Sequence, residues 1–293
     1  MRRGPKRVRE VTAALLRAWP LPSPQDSDSK EDRGRVLVVG GSTQVPGGVL
    51  LAGVAALRAG AGKLQLATAQ DAALSLAIAV PEALVMPLPC NARGDILRAS
   101  AQLREAANEA QAMAIGSGMP ATRASCNIAR ALMASATGTV LLDAGALGAC
   151  AKPGAVQPIL TPHPGEMATL TGEAAEVVVE RAAEIARSFA ADRNAIVVLK
   201  GPTTHIAHPD GRLWIHRGGV AGLGTSGSGG VLAGVIAGLA ARGAEPAQAA
   251  VWGVWLHARA GARLSRRQGA VGFLAREIAA EIPGLLRAPA SGA

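Results

Sequence analysis

Gly222-Leu-Gly-Thr-Ser-Gly-Ser-Gly-Gly-Val-Leu-Ala-Gly-Val-Ile-Ala-Gly-Leu-Ala-Ala241 carries no charge and changes character along its length. It begins as glycines and small hydroxyl residues, then becomes an apolar run that reads as a buried helix. Glycines let a backbone bend sharply and approach a ligand closely. A helix N-terminus offers unpaired N–H groups and the positive end of its dipole. Together these make an anion site, most often for phosphate. A tight turn before a core helix is the plainer alternative, but it does not need small residues at nearly every position. Gly222-Leu-Gly224-Thr-Ser-Gly227 also fits G-x-G-x-x-G. The dinucleotide fingerprint wants a strand leading in and an acidic residue about 20 positions on. Here a hairpin precedes, and Glu245 lies behind a long apolar helix and Gly243. The Walker pattern G-x-x-x-x-G-K-[ST] is absent.

Strand and helix alternate upstream of this stretch. Strands are expected at Val36–Val39, Leu64–Thr68, Ala83–Leu88, Met113–Ile115, Thr139–Asp143, Ile159–Thr161 and Ala195–Leu199. Helices are expected over Val11–Trp19, Val49–Ala59, Asp71–Ala79, Ile96–Ala110, Thr122–Ser135 and Glu173–Ala191. Pro209-Asp-Gly211 between two short apolar runs signals a hairpin. Pro246–Arg263 and Ala275–Ile282 read as closing helices. Continuous apolar strands alternating with helices predict an α/β fold, a mainly parallel sheet with helices on both faces. Such sheets bind ligands at the carboxyl ends of their strands. Gly40-Gly41-Ser42, Gly116-Ser-Gly118, Asp143 and His163 all fall at such ends.

The chain has 293 residues, 49% hydrophobic, enough for one large domain or two small ones. Residues 1–9 are basic and expected to be mobile, and Pro20–Arg33 reads as a linker; 1–33 is thus a basic segment and linker ahead of a domain at 34–293. The net charge of +9 could point to nucleic acid. Against that, lysine occurs only at Lys6, Lys30, Lys63, Lys152 and Lys200, many arginines stand singly between apolar residues, and aromatics make up 2%. Stacking platforms for bases are scarce, so no nucleic-acid partner is expected. No apolar run has the length of a membrane span, and the basic N-terminus lacks a signal peptide's apolar core. Cys90, Cys126 and Cys150 show neither metal spacing nor a disulfide framework. Their pattern favours a reducing cytoplasm.

Several short motifs have both a functional and a purely structural reading. Thr161-Pro-His163-Pro-Gly165-Glu166 is either a rigid helix start or a loop in which His163 donates to a ligand carbonyl or phosphate. Lys200-Gly-Pro-Thr-Thr204 places a rare lysine and two hydroxyls at a strand end; it is a solvated loop or a phosphate counter-charge. Asp143 could hold a metal, orient a water or cap the next element. Pro46-Gly47-Gly48 and Gly116-Ser-Gly118 are ordinary turns or places where a ligand meets the backbone.

Taken in order, these pieces resemble the ADP-dependent NAD(P)H-hydrate dehydratases, a family of ribokinase-like fold. The resemblance rests on Gly34-Arg-Val-Leu-Val-Val-Gly-Gly-Ser42, Ala55-Ala-Leu-Arg-Ala-Gly-Ala-Gly62, Pro81-Glu82, Ile115-Gly-Ser-Gly118 and Leu142-Asp-Ala144. It continues through Ile159-Leu-Thr-Pro-His-Pro-Gly-Glu166, Val198-Leu-Lys-Gly201, Gly227-Ser-Gly229 and Val231-Leu-Ala-Gly-Val-Ile-Ala-Gly238, and spans roughly residues 34 to 285.

The resemblance implies a three-layer fold and a repair enzyme that removes water from hydrated NADH or NADPH. Cleavage of ADP to AMP and phosphate would be coupled to it, with Mg²⁺ as cofactor and a homotetramer as the assembly. It places Gly48, Gly118, His163 and Gly230 on the hydrated nucleotide. Lys200, Gly201, Pro202, Thr203, Thr204 and Gly229 fall on the AMP portion. The family carries Asp, its general base, where this chain has Gly230. It often has Ala at 48 and a second Asp at 145, where this chain has glycine. Losing a positioned base typically costs about 10²–10⁴ in rate. A catalytically silent nucleotide-binding protein, or a small-molecule kinase of the same fold, are the alternatives.

Overall fold

The strands assemble into one sheet in the order β1-β10-β9-β8-β7-β6-β5-β2-β3-β4 in the computed structural model, which describes residues 8–23, 29–92, 94–150 and 156–287. They are β1 (Val8–Glu10), β2 (Arg35–Val39), β3 (Lys63–Ala69), β4 (Ala83–Leu88), β5 (Ala112–Ile115), β6 (Thr139–Leu142), β7 (Ile159–Leu160), β8 (Ile196–Leu199), β9 (Thr203–Ala207) and β10 (Leu213–Arg217). Every strand but β9 points the same way; β9 runs antiparallel to both β8 and β10 as the first arm of the expected hairpin. The order turns back between β5 and β2, so β2-β3-β4 runs outward on one side and β5-β6-β7-β8 on the other. Open α/β sheets bind ligands at such a switch point.

Alternate residues of the buried strands feed two cores. Val36, Val38, Leu64, Leu66, Ala112, Ala114 and Leu141 face one side, where helices α2 (Gly47–Arg58), α9 (Ser228–Ala241), α10 (Pro246–Gln268) and α11 (Ala275–Leu286) pack. Leu37, Val39, Met113, Ile115, Val140 and Leu142 face the other. There α4 (Ala101–Glu109), α5 (Arg123–Met133), α6 (Pro164–Thr171), α7 (Ala175–Glu180) and α8 (Ala182–Arg193) contribute. Helices α1 (Ala13–Ala18) and α3 (Gln70–Ala79) complete the set. A strand covered on both faces needs apolar residues at every position, which is why these strands read as continuous runs. Helix α9 is buried along nearly its whole length. It meets α2 backbone to backbone: a Cβ on Gly234 would lie 2.0 Å from Ala52 O, and one on Gly238 would lie 2.4 Å from Ala56 O.

Four local expectations change. The helix expected from Ile96 begins only at Ala101, because Ser100 caps it by accepting from Leu103 N at 3.1 Å. Ile96 instead bridges to Cys90. Glu173–Ala191 divides into α7 and α8 at Arg181, whose φ of −107° and ψ of 27° leave the helical region. The basic segment expected to be mobile through residue 9 contributes β1, which runs beside β10. Behind it Leu16 is fully buried, and Trp19 stacks on Trp214 with ring centroids 5.8 Å apart. Trp252 Nε1 and Gln248 Nε2 donate to carbonyls of Trp19 and Pro20, so the expected helix before residue 20 and the first residue of the expected linker are held against α10. Residues 1–7, 24–28 and Lys152 lie outside the described residues. No helix among the described residues is long and apolar enough to cross a membrane.

Candidate active site

Parallel strands deliver their carboxyl ends to one edge of the sheet. Gly40-Gly41 after β2, Gly116-Ser-Gly118 after β5, Asp143 after β6, Thr161 after β7 and Lys200 after β8 therefore converge. Backbone bonds lace these ends together: Gly41 N donates to Ser117 O at 2.8 Å, and Lys200 N donates to Pro162 O at 2.9 Å.

Helix α9 starts at this edge. Gly227, at φ +87°, occupies the left-handed region that glycine enters without strain, and turns the loop into the helix. The loop is anchored from beneath by His257. Its Nε2 lies 3.0 Å from Ser228 Oγ and 3.1 Å from Ser228 O. Complete burial pushes the His257 pKa down to about 4, so the ring is neutral at physiological pH.

The first turn of α9 faces two places at once. On one side Gly229 looks toward Lys200, whose Nζ would be 3.2 Å from a Cβ there. On the other, a Cβ on Gly230 would stand 3.5 Å from Gly48 O and 3.6 Å from Ser117 Oγ. Gly48 in turn lies against the backbone of Gly118, where an added Cβ would come within 2.8 Å of Gly118 Cα. Gly48, Gly118 and Gly230 thus form a cradle at the switch point.

The Lys200 side opens into a pocket of about 670 Å³, within the usual size range for small-molecule sites. His163, Lys200, Gly201, Pro202, Thr204 and Gly229 line it, beside an apolar wall that includes Leu223, Leu232, Val254 and Ala258. Lys200 is the one Lys or Arg among its described lining residues. Thr203 is not in that wall; it pairs with Arg217 within the hairpin. His216, also in the wall, has its pKa lowered by burial and then by Arg259.

Asp143 is 4% exposed and receives converging donors: Ser117 Oγ to Oδ2 at 2.8 Å, Thr161 Oγ1 to Oδ1 at 2.8 Å, and Lys200 Nζ at 3.5 Å. Its carboxylate is thus held by these three groups, while its carbonyl accepts from Ala146 N of the following turn at 3.0 Å. Lys200 Nζ also lies 3.7 Å from Glu166 Oε2. The His163 loop is the rigid helix start of the first reading, and His163 also lines the pocket. His163 Nδ1 accepts from Glu166 N at 3.2 Å while Glu166 Oε2 accepts from His163 N at 2.8 Å, a reciprocal helix cap. With Nδ1 engaged in the cap, Nε2 lies at the pocket wall, 3.6 Å from Glu166 Oε2.

Sequence reasoning missed His257 and His216 as parts of this site, and took Ser228 only as one of the small residues of the loop. A lone histidine within the otherwise apolar Val251–Ala258 run of α10 was the available clue to His257. Ser117 was visible only as the middle of a glycine turn.

A mainly parallel sheet between helical layers, with a glycine-led helix N-terminus and a lysine at the strand ends, defines a ribokinase-like α/β fold. A solved ribokinase-like superfamily protein from Enterococcus faecalis superposes with a TM-score of 0.84, covering 97% of this chain and 96% of its own, at 24% identity. The family model described as NAD(P)H-hydrate dehydratase matches residues 36–284. An ADP-dependent (S)-NAD(P)H-hydrate dehydratase of Xanthomonas campestris is 53% identical over 97% of both chains. The ADP/ATP-dependent NAD(P)H-hydrate dehydratase of Bacillus subtilis, co-crystallised with ATP and Mg²⁺, superposes with a TM-score of 0.84 at 30% identity, covering 97% of this chain and 99% of its own. The chain belongs to the NAD(P)H-hydrate dehydratase family.

Proposed function

We propose that this chain dehydrates hydrated NADH and NADPH at the expense of ADP, yielding NADH or NADPH, AMP and phosphate. The observation that carries the reading is the first turn of α9. Gly229 faces a pocket with a lysine and an apolar wall, and Gly230 faces a separate backbone cradle. One helix N-terminus thereby serves two ligands that must exchange a phosphoryl group.

In this reading the adenine lies on the apolar wall of Leu223, Leu232, Val254 and Ala258. Gly201, Pro202 and Thr204 hold the rest of the AMP portion, and Thr203, outside the wall, keeps to the hairpin. The phosphates lie on the N–H groups of Gly229 and Gly230, Ser228 N being already given to Thr225 O, and beside Lys200, where positioning and charge stabilisation do most of the work of phosphoryl transfer. The hydrated nicotinamide enters the cradle of Gly48, Gly118 and Gly230, with His163 Nε2–H donating to its phosphate or carbonyl. The C6 oxygen bonds to the terminal phosphorus of ADP as the bridging P–O bond to AMP breaks. The ring nitrogen's lone pair then expels phosphate from C6, and loss of a proton from C5 restores the dihydropyridine.

Among the described residues no group of three or more His, Cys, Asp or Glu is placed to hold a metal ion. Asp143 is already filled by its donors. The donor set therefore fits a Mg²⁺ that arrives on the nucleotide's phosphates, the usual habit of that ion. Bound there it would neutralise phosphate charge beside Lys200. A cytoplasmic homotetramer completes the proposal, with residues 34–293 as the working domain. The exposed Leu74, Ile78 and Leu84 beside the β4 edge support self-association, which sedimentation velocity tests.

A second reading has its own observation. Gly230 offers no carboxylate, which favours a protein that binds nucleotide without turning it over. Phosphate release from ADP separates the two: the proposal expects release only when hydrated NADH is present, and the binding-only reading expects none in either case.

A further inference from the structure

Asp143 is buried, yet it is not isolated from the cradle. Thr161 and Lys200 close off Oδ1, and Ser117 Oγ donates to Oδ2 at 2.8 Å. Ser117 is held in a fixed orientation by the turn between Gly116 and Gly118, with its carbonyl accepting from Gly41 N at 2.8 Å. Its hydroxyl faces the cradle. Around the point where a Cβ on Gly230 would sit, the nearest atoms are Gly48 O at 3.5 Å and Ser117 Cβ and Oγ at 3.6 Å. These are ordinary contact distances, so the first turn of α9 leaves room for a group beside Ser117 Oγ. A hydroxyl that donates its proton to a carboxylate keeps lone pairs free to accept another.

We propose that Ser117 and Asp143 form the proton relay of the dehydration, doing from β5 and β6 what a carboxylate at position 230 would do from α9. The inference rests on the proposed function. As the C6 oxygen of the hydrated cofactor bonds to the terminal phosphorus of ADP, its proton passes to Ser117 Oγ. Ser117's own proton passes to Asp143 Oδ2, and the electron pair of the broken P–O bond stays on the phosphate oxygen of AMP. Asp143 returns its proton to solvent by the same path after the products leave. Thr161 is a positioning residue that keeps Oδ2 turned toward Ser117 by holding Oδ1.

The experiment compares the full-length chain with Ser117→Ala, Gly230→Asp and the double variant. Steady-state turnover of hydrated NADH with ADP and Mg²⁺ is measured, and ADP affinity is followed by calorimetry. The relay predicts that Ser117→Ala lowers kcat about 10²–10⁴-fold with ADP affinity held within twofold. The acid limb of the pH–kcat profile is lost from the residual activity. Adding Gly230→Asp to Ser117→Ala restores at least tenfold, which repair of a merely structural defect would not do. Turnover of Ser117→Ala within twofold of the parent overturns the relay, as does a loss that Gly230→Asp does not rescue. A silent parent with an active Gly230→Asp chain overturns the relay while leaving the family reaction in place. Silence in both overturns the proposed function and the relay with it.

Discussion

Replacing Lys200 by methionine tests the phosphate side of the site. The ammonium lies over the first turn of α9, 3.5 Å from Asp143 Oδ1 and 3.7 Å from Glu166 Oε2. Methionine keeps most of the side-chain volume and removes the charge. In the ligand-free chain the loss is small, because Asp143 keeps its bonds from Ser117 and Thr161. A cost to stability of about 1 kcal/mol follows, that of a modest ion pair. With nucleotide bound the loss is larger. A hydrogen bond to a charged group contributes roughly 1.5–3 kcal/mol, so ADP should bind about 10–150-fold more weakly. Adenosine, which has no phosphate, should bind both chains alike through the apolar wall. Isothermal calorimetry with ADP and adenosine makes the comparison. An unchanged ADP affinity, or an equal loss for adenosine, would refute the placement of phosphate beside Lys200.

Leu16 is fully buried although it precedes the domain that the sequence suggests; Leu16→Ala should cost about 2–5 kcal/mol in a urea titration, whereas an N-terminal helix detached from the domain would show no change. Gly234→Val would place a Cβ 2.0 Å from Ala52 O, and overpacking of this kind costs roughly 1–3 kcal/mol or more, read as a lower thermal midpoint; an unaltered midpoint would show that α9 and α2 can separate freely. His257 has a folded pKa of about 4 against 6.5 for an ordinary histidine. The unfolded chain therefore binds the extra proton between those values, and stability is full above 6.5 and declines as pH falls toward 4. His205, His208 and His216 are shifted in the same direction. His257→Gln should remove about one proton, roughly 1.4 kcal/mol per pH unit, from the slope of stability against pH; an identical slope would show that the ring does not titrate with unfolding.

The layers of the fold were readable because burial on both faces writes itself into a strand as an unbroken apolar run, as in Val36–Val39. Strand β1 was not, since Val8, Arg9 and Glu10 are all exposed and carry no apolar alternation; they are held by backbone pairing with β10 and a surface ion pair from Glu10 to Arg217. The break between α7 and α8 lies in a stretch whose composition suits a helix throughout, so a backbone turn at Arg181 left no mark. At the site, glycine spacing revealed the α9 loop, and strand ends revealed Asp143, His163 and Lys200. Their convergence followed from a parallel sheet. The bond from Ser117 to Asp143 could not be read, because 26 residues separate them and only the pairing of β5 with β6 brings them together. The same holds for His257 and Ser228, which lie 29 residues apart on helices α10 and α9.

The central claim is that the two sides of the α9 turn hold ADP and hydrated NADH for one coupled reaction. Its most direct test is the recovery of NADH absorbance from hydrated NADH by the unaltered chain, with Mg²⁺ and with or without ADP, alongside AMP measured in the same samples. The account predicts recovery that requires ADP and forms AMP in equal amount to NADH. Recovery without ADP, or tight ADP binding with no recovery, would contradict it.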